Sequence, residues 1–322
     1  MPELPEVEVV RAGVEPAVTG AIVAGVDVFD ERSLRRHDPS TGSFARLLEG
    51  QLVLGAVRRG KFLWLPLASG RALVIHLGMS GQVLLRTPGD SRSAGSAGST
   101  RPTGVTADAR PAQDRLLRIR LHLDHPVHGE LWLNFVDQRI FGSMAVDTMQ
   151  PTSDGLPAGF PGAARGDWMN LIPSQVAHIA RDPIDTDFSA GAFFTALARK
   201  KTGIKRALLD QTLISGIGNI YADEALFDAR IHYEQPADSL SRAKARTLLA
   251  SVRGILHRAL AEGGTSFDAQ YVNVNGQSGY FAHSLTAYGR HGKPCLRCGS
   301  TMVRAQFMNR SSHLCPRCQR LR

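Results

Sequence analysis

No cysteine precedes Cys295 in this 322-residue chain, and all four that it holds fall between Cys295 and Cys318. Nothing is left to form disulfides across the rest of the molecule, which suits a reducing compartment. Also missing is any apolar run near the roughly 18 residues that a membrane-spanning helix needs. The opening residues, Met1-Pro2-Glu3-Leu4-Pro5-Glu6, carry two early acids where a secretory leader carries basic and then apolar residues. These absences predict a cytoplasmic protein with no membrane partner. Acidic residues are in deficit, 29 against 38 Lys+Arg, for a formal charge of +9 and a pI near 9.8. No amphipathic basic helix accompanies the surplus, so it suits a polyanion such as nucleic acid better than a lipid surface. With 43% hydrophobic and 21% charged residues, the rest of the composition is that of a globular protein of two domains or a domain plus modules.

Residues 2–14 begin with proline and acids and place Val7, Val10 and Val14 near helical spacing, which predicts a helix at the very start of the chain. From 21 to 85 short β-branched and apolar runs broken by glycine predict strands, which resume at 116–123 and 130–136. The first domain, 1–150, reads as a β-rich sandwich or barrel. Between 86 and 115 the chain is Gly, Ser, Pro, Thr and Ala with almost no large apolar residue, the composition of a flexible insertion. A Pro/Gly-rich stretch opens a linker over 151–185. Helical texture follows at 190–200, 204–211, 219–228 and 239–262, with a glycine-punctuated turn at Ser215-Gly-Ile-Gly218, so the second domain, 186–282, is mostly helical. The last stretch, 283–322, reads as short strands and turns around the cysteines.

Cys295-Leu-Arg-Cys298 and Cys315-Pro-Arg-Cys318 are two C-x2-C knuckles with sixteen residues between them. That spacing presents four thiolates tetrahedrally to one zinc ion. With all four positions filled by protein, no open coordination site remains, so the zinc is expected to be structural. Eight Lys and Arg residues from Arg290 to Arg322 make this module the densest basic patch of the chain, able to meet phosphate or simply to be solvated.

Pro2 admits two readings. Pro-Glu is a good first helical turn. A small second residue also invites removal of Met1, which would free a secondary amine. Such an amine attacking an aldehydic sugar carbon gives an iminium cation, an electron sink that favours elimination at the neighbouring carbon.

Taken in order, Pro2-Glu3-Leu4-Pro5-Glu6-Val7-Glu8, Gly60-Lys61, His76-Leu-Gly-Met-Ser-Gly81, Asp137-Gln-Arg-Ile-Phe-Gly142, Gly216-Ile-Gly-Asn-Ile-Tyr-Ala-Asp-Glu224 and the cysteine module resemble the formamidopyrimidine-DNA glycosylase family. The succession runs from residue 2 to 318, with only the stretches near 86–115 and 145–185 lacking a counterpart. The resemblance implies an α+β multidomain protein: a β-sandwich N-terminal domain, a helical helix-two-turn-helix domain and a C-terminal zinc finger, with damaged double-stranded DNA in the cleft. A single chain supplies the whole site, so a monomer suffices, working in the cytoplasm at the nucleoid. It implies excision of oxidised purines, 8-oxoguanine and formamidopyrimidines, from a nucleotide flipped out of the duplex. Strand cleavage by β,δ-elimination then follows.

By the same resemblance Pro2 is the Schiff-base nucleophile and Glu3 the acid/base that helps open the sugar. Lys61 assists β-elimination and contacts phosphate. Met79, Arg139 and Phe141 fill the space left by the flipped base, two as apolar wedges and Arg139 as partner to the orphaned base. Lys200 and Asn219 contact phosphate, and Arg310 on the loop between the cysteine pairs grips phosphate and is linked to δ-elimination. Gly263–Asp268 and Tyr271–Gly279 resemble the family's loop over the flipped base. One departure stands out: where many relatives place a phosphate-contacting histidine before the strand near 116, this chain has Asp114-Arg115. Two competitors remain in view. Endonuclease VIII-like enzymes share the architecture but act on oxidised pyrimidines, and they usually begin Pro-Glu-Gly. A non-catalytic zinc-dependent DNA-binding protein would keep the scaffold without the chemistry.

Overall fold

A computed structural model describes residues 2–88, 114–265 and 281–321. The first helix, α1 (Leu4–Val18), lays Val7, Val10, Val14 and Val18 along one fully buried stripe. Burying each such side chain is worth about 1.5–3 kcal/mol. Glu3 is its N-cap residue, and the Glu3 amide donates to Glu6 Oε2 at 2.8 Å, so a carboxylate completes the first turn.

Two antiparallel sheets share a core with α1. One runs β1 (Ile22–Val28), β6 (Leu117–His125), β7 (Gly129–Asp137), β5 (Gly81–Arg86). The other runs β2 (Val57–Arg59), β3 (Phe62–Pro66), β4 (Arg71–His76), β8 (Ser143–Pro151), β9 (Leu171–Pro173). Alternation is clear in β6, where Ile119, Leu121 and Leu123 point inward to meet Leu63, Ile75 and Val146 of the second sheet. A short α2 (Phe44–Leu48) adds Phe44 and Leu48 to the same core.

Residues 151–185 are more than the expected linker. Within them β9 pairs with β8, and Ala158, Ile172, Val176 and Ile179 bury against Val57, Trp64 and Val74. Proline and glycine break any regular period there, so the apolar residues that anchor it escape a periodicity reading. The segment also delivers Asp182, whose carboxylate meets the buried Arg58 guanidinium at 2.7 Å while Glu8 of α1 takes its other side at 2.7 Å.

The helical part comprises α3 (Ala190–Leu197), α4 (Ile204–Leu209), α5 (Asn219–Asp228) and α6 (Arg242–Ala261). α6 starts later than its apolar pattern suggests because the Ser241 hydroxyl caps it, accepting from the Lys244 amide at 3.2 Å. A hairpin of β10 (Val303–Phe307) and β11 (Arg310–Leu314) carries the cysteine module. The expected flexible insertion lies mostly outside the described residues, which resume at the 3-10 turn Asp114–Leu116. Among the described residues, no helix is long and apolar enough to cross a membrane.

Candidate active site and nucleic-acid interface

The start of α1 meets the start of α5. Glu3 accepts from the Ile220 amide at 2.9 Å and from the Gly218 amide, and the Leu4 amide donates to Gly216 O at 3.0 Å. A carboxylate at a helix N-terminus is favourable on both hydrogen-bonding and dipole grounds. Glycine is required at both ends of the Gly216-Ile-Gly218 turn. A Cβ on Gly216, where φ is +89°, would sit 2.6 Å from Leu4 Cδ1, and one on Gly218 would sit 2.3 Å from Glu3 Cδ. Pro2, buried, directly precedes this junction.

Lys61 arrives from the other side. It is the second residue of the two-residue turn between β2 and β3, after Gly60 at φ +56°, and its ammonium donates to Ile217 O at 2.8 Å. A Cβ on Gly60 would come within 2.8 Å of the Ser215 side chain, so the turn packs directly on the glycine loop. Burial pushes the Glu3 carboxyl above its ordinary pKa, with Lys61 pulling it back in part. Burial likewise lowers the Lys61 ammonium, and Glu3 opposes that shift. Both shifts weaken the charged form of each group, which suits a pair that exchanges protons.

Glu6 ties three elements together. Its Oε1 accepts from the Tyr221 hydroxyl of α5 at 2.7 Å and from the Thr265 amide and hydroxyl at 2.7 and 2.9 Å. Thr265 belongs to the stretch expected to cover the flipped base, whose residues 266–279 lie outside the described set.

Met79 and Phe141 stand on adjacent loops and are 44% and 51% exposed, unusual for large apolar side chains otherwise available to a core. Their loops are built tightly. Asp137 accepts from Ser80 Oγ at 2.6 Å, the Arg139 amide at 3.1 Å and the Gly142 amide at 2.6 Å. A Cβ on Gly78, at φ +61°, would lie 2.3 Å from the Phe141 carbonyl carbon. From outside, the Arg35 guanidinium donates to Ile140 O at 2.8 Å, to Gly142 O at 3.0 Å and to Phe141 O. Ile140 holds φ +56°, a conformation costly for a β-branched residue, so the loop keeps its shape through these bonds.

Beside this loop sits His76, held neutral. Burial, with Arg36 and Lys61 nearby, depresses its pKa to about 4. Its Nδ1 accepts from the Gly78 amide at 3.1 Å, which places the ring proton on Nε2 as a donor.

The four cysteine Sγ atoms lie within 4.8 Å of one another, with Cys298 and Cys315 at 3.5 Å. A tetrahedral zinc with Zn–S bonds of about 2.3 Å sets its sulfurs roughly 3.8 Å apart, so the donor set fits one zinc ion. The Arg297 amide points to Cys295 Sγ and the Cys318 amide to Cys315 Sγ, both at 3.4 Å, as thiolates require. Two adjacent acids of α5 dock the module. Asp223 accepts from Ser312 Oγ at 2.9 Å and the His313 amide at 2.8 Å, and pairs with the fully buried Lys205 at 2.7 Å. Glu224 accepts from the amides of Thr286, Ala287 and Tyr288. Arg310 therefore hangs over the junction of α1 and α5. Glu3, Met79, Asn219 and Arg310 line one cavity of about 610 Å³.

Most of the residues expected from sequence thus converge. Asn219 faces the hairpin, its Nδ2 donating to Ser311 O at 3.1 Å. Lys200 does not join the Glu3 and Lys61 group; its ammonium pairs with Asp210 at 2.6 Å. Arg115 is exposed and enters no bond described above. Sequence reasoning missed Arg35, Glu6, Asp182, Asp223 and Glu224, which hold the site without forming its surface. The adjacent acids Asp223-Glu224 in the middle of α5 were the one local signal available.

Residues 1–144 match the family model described as the formamidopyrimidine-DNA glycosylase N-terminal domain, 179–270 the H2TH domain of the same family, and 292–321 the zinc finger found in FPG and IleRS. The chain is 61% identical to formamidopyrimidine-DNA glycosylase of Leifsonia xyli, covering 100% of both chains, and 50% identical to that of Thermobifida fusca, covering 99% of this chain and 97% of the relative. Among solved structures it is similar to the MutM (Fpg) protein of Thermus thermophilus, with a TM-score of 0.73 and 33% identity over 100% of both chains. A Lactococcus lactis Fpg in complex with abasic-site DNA matches with a TM-score of 0.73 and 26% identity over 99% of each chain.

Proposed function

The chain belongs to the formamidopyrimidine-DNA glycosylase family, and on that premise we propose that Pro2, freed by removal of Met1, attacks C1′ of an oxidised purine nucleotide held in the cleft. The enzyme is a DNA glycosylase with AP lyase activity in base excision repair, acts on damaged DNA, and carries a zinc finger with four cysteines for one metal ion. The observation that carries the residue assignment is the junction of α1, the Lys61 turn and α5, which sets the buried Glu3 carboxyl and the half-buried Lys61 ammonium at the Pro2 end of α1.

In this reading Glu3, protonated more readily because of its burial, donates to the ring oxygen as the sugar opens and the base leaves. The nitrogen lone pair of Pro2 closes an iminium on C1′. Loss of the C2′ proton, assisted by Lys61, expels the 3′ phosphate, and Arg310 grips the phosphate that leaves in the second elimination. Met79 and Phe141 occupy the gap in the stack and Arg139 meets the orphaned base. Neutral His76 and the Asn219 end of α5 offer hydrogen-bond donors to the flanking phosphates, and Lys200 contributes from the rim. We place the working enzyme at the nucleoid, where its substrate is.

Borohydride trapping on a duplex with 8-oxoguanine opposite cytosine tests this. A covalent adduct mapped to Pro2 is expected. Tight binding with no adduct would favour the non-catalytic reading, and an adduct only with oxidised pyrimidine would favour the endonuclease VIII-like one.

Two further results are expected. Zinc bound by Cys295, Cys298, Cys315 and Cys318 holds the hairpin that presents Arg310. Cys298→Ser should therefore lower zinc content and weaken duplex binding by about tenfold or more, since folding of such modules rests on the metal. Unchanged affinity in a zinc-depleted sample would remove that role. Arg35→Ala should weaken binding to an abasic-analogue duplex by roughly 10–100-fold, the equivalent of losing charged hydrogen bonds worth ~1.5–3 kcal/mol, while leaving zinc content intact. Parent-like affinity in a fluorescence anisotropy titration would show that the Phe141 loop holds its shape without Arg35.

A further inference from the structure

A basic cluster outside the catalytic cleft lies at the opposite end of α5. There a cavity of about 720 Å³ is lined by Arg230, Lys244, Arg297, Arg317 and Arg320, with Ser239 and Ser241 at the start of α6, and none of its lining residues is acidic. α5 has ten residues, so this groove stands roughly 15 Å from the Asn219 end that faces the cleft. Two of the five cations have structural work. Lys244 donates to Ala229 O at 2.6 Å and Arg297 to Phe227 O at 3.0 Å, capping the last carbonyls of α5.

The side chains of Arg230, Arg317 and Arg320 enter no hydrogen bond or ion pair among the described residues, and Arg230 is exposed. Arg230 also sits where glycine is the usual choice. It follows the end of α5 at φ +53°, with the Ile231 amide returning to Leu226 O at 2.9 Å, the helix stop that a left-handed residue makes. A side chain with a Cβ is disfavoured in that backbone conformation. Stability alone therefore does not explain an arginine at this position. Nor does neutralisation of the nearby metal centre: four thiolates around one zinc leave two formal negative charges, against five cations in the groove.

We propose that this groove binds the phosphodiester backbone of a second, undamaged DNA segment while the cleft holds the first. Arginine forks match phosphate oxygens in pairs, and the serine hydroxyls at the α6 N-terminus add donors. An acidic protein segment fits less well. The aliphatic lining is confined to Ile231 and Leu240, one buried and one half-buried, so no apolar anchor is offered of the kind that carries protein interfaces. Two DNA sites on opposite ends of α5 would let the enzyme take hold of a new segment before releasing the old one, a transfer that needs no chemistry.

The test uses the zinc-loaded full chain, saturated with an unlabelled duplex carrying a tetrahydrofuran abasic analogue, and titrates in a labelled undamaged duplex. One further duplex should bind, and Arg230→Ser/Arg317→Ser/Arg320→Ser should weaken it by tenfold or more. The same variant should lower the log–log salt slope by about 2–3, at roughly 0.9 per lost phosphate contact. Affinity for the first duplex should stay within about twofold. Should the triple variant lose zinc, photo-crosslinking of a bromodeoxyuridine-bearing second duplex to the parent decides: attachment within 230–244 or 317–320 supports the groove, and attachment elsewhere overturns it. Absence of a second binding event, equal binding by the variant, or tighter binding of an oligo-glutamate peptide than of the duplex would each overturn it too. None of these outcomes depends on Pro2, so failure here leaves the catalytic assignment standing.

Discussion

Pro2→Gly should lower borohydride trapping and strand cleavage by about two orders of magnitude, the typical cost of misplacing a reacting group, while duplex binding stays close to that of the parent. Glycine keeps a terminal amine and the small side chain that favours Met1 removal, so processing is not the variable. What changes is the proposed nucleophile. A proline nitrogen forms an iminium that stays cationic without an extra proton, and its ring fixes the lone pair relative to the start of α1. A glycine amine forms an ordinary imine, swings more freely and must be protonated before it withdraws electrons. Burial of Pro2 beside a Glu3 carboxyl with a raised pKa and a Lys61 ammonium with a lowered one makes the geometry local. Binding, in the proposed reading, draws on Arg310, Asn219 and the Phe141 loop, none of which the substitution touches. Equal trapping by parent and variant would move the nucleophile elsewhere, with Lys61 the next amine to map.

Much of this molecule was legible in its sequence where the governing interaction is local. α5 begins after Gly218 and ends at Asp228, as its pattern predicts, and the two cysteine knuckles announce their tetrahedral site by spacing alone. Non-local contacts were not legible. Nothing near Arg35 reveals that its guanidinium will hold three carbonyls more than a hundred residues away. Asp182 reads as one more linker acid, yet it meets the buried Arg58 and accepts from the Gly60 amide at 3.1 Å, fixing the turn that carries Lys61. Even the glycine turn was only half read. Its residues signal that something approaches closely, but what approaches is Glu3, from the far end of the chain. Lys200 shows the converse limit, since a resemblance supplies an expected phosphate contact but not the Asp210 carboxylate that its ammonium meets here.

The sharpest consequence of that close approach is Gly218→Ala. Gly218 has φ −124°, a conformation open to any residue, so alanine brings no backbone strain. Its only effect is a methyl group 2.3 Å from Glu3 Cδ, well inside van der Waals contact. Glu3 cannot simply rotate away, because the Gly218 and Ile220 amides hold its two oxygens and its own amide is tied to Glu6. Either the carboxyl moves by about an ångström or α1 lifts from α5, and a displacement of that size can cost about 10²-fold in rate. Single-turnover release of 8-oxoguanine should fall by about that factor, while zinc content and affinity for an abasic-analogue duplex change little. Gly216→Ala offers a contrast: at φ +89° it adds backbone strain to a 2.6 Å clash with Leu4, and should lose stability as well as rate. A Gly218→Ala enzyme with the parent's rate would mean that the Glu3 carboxyl does not need its present position, and the acid/base assignment would fall with it.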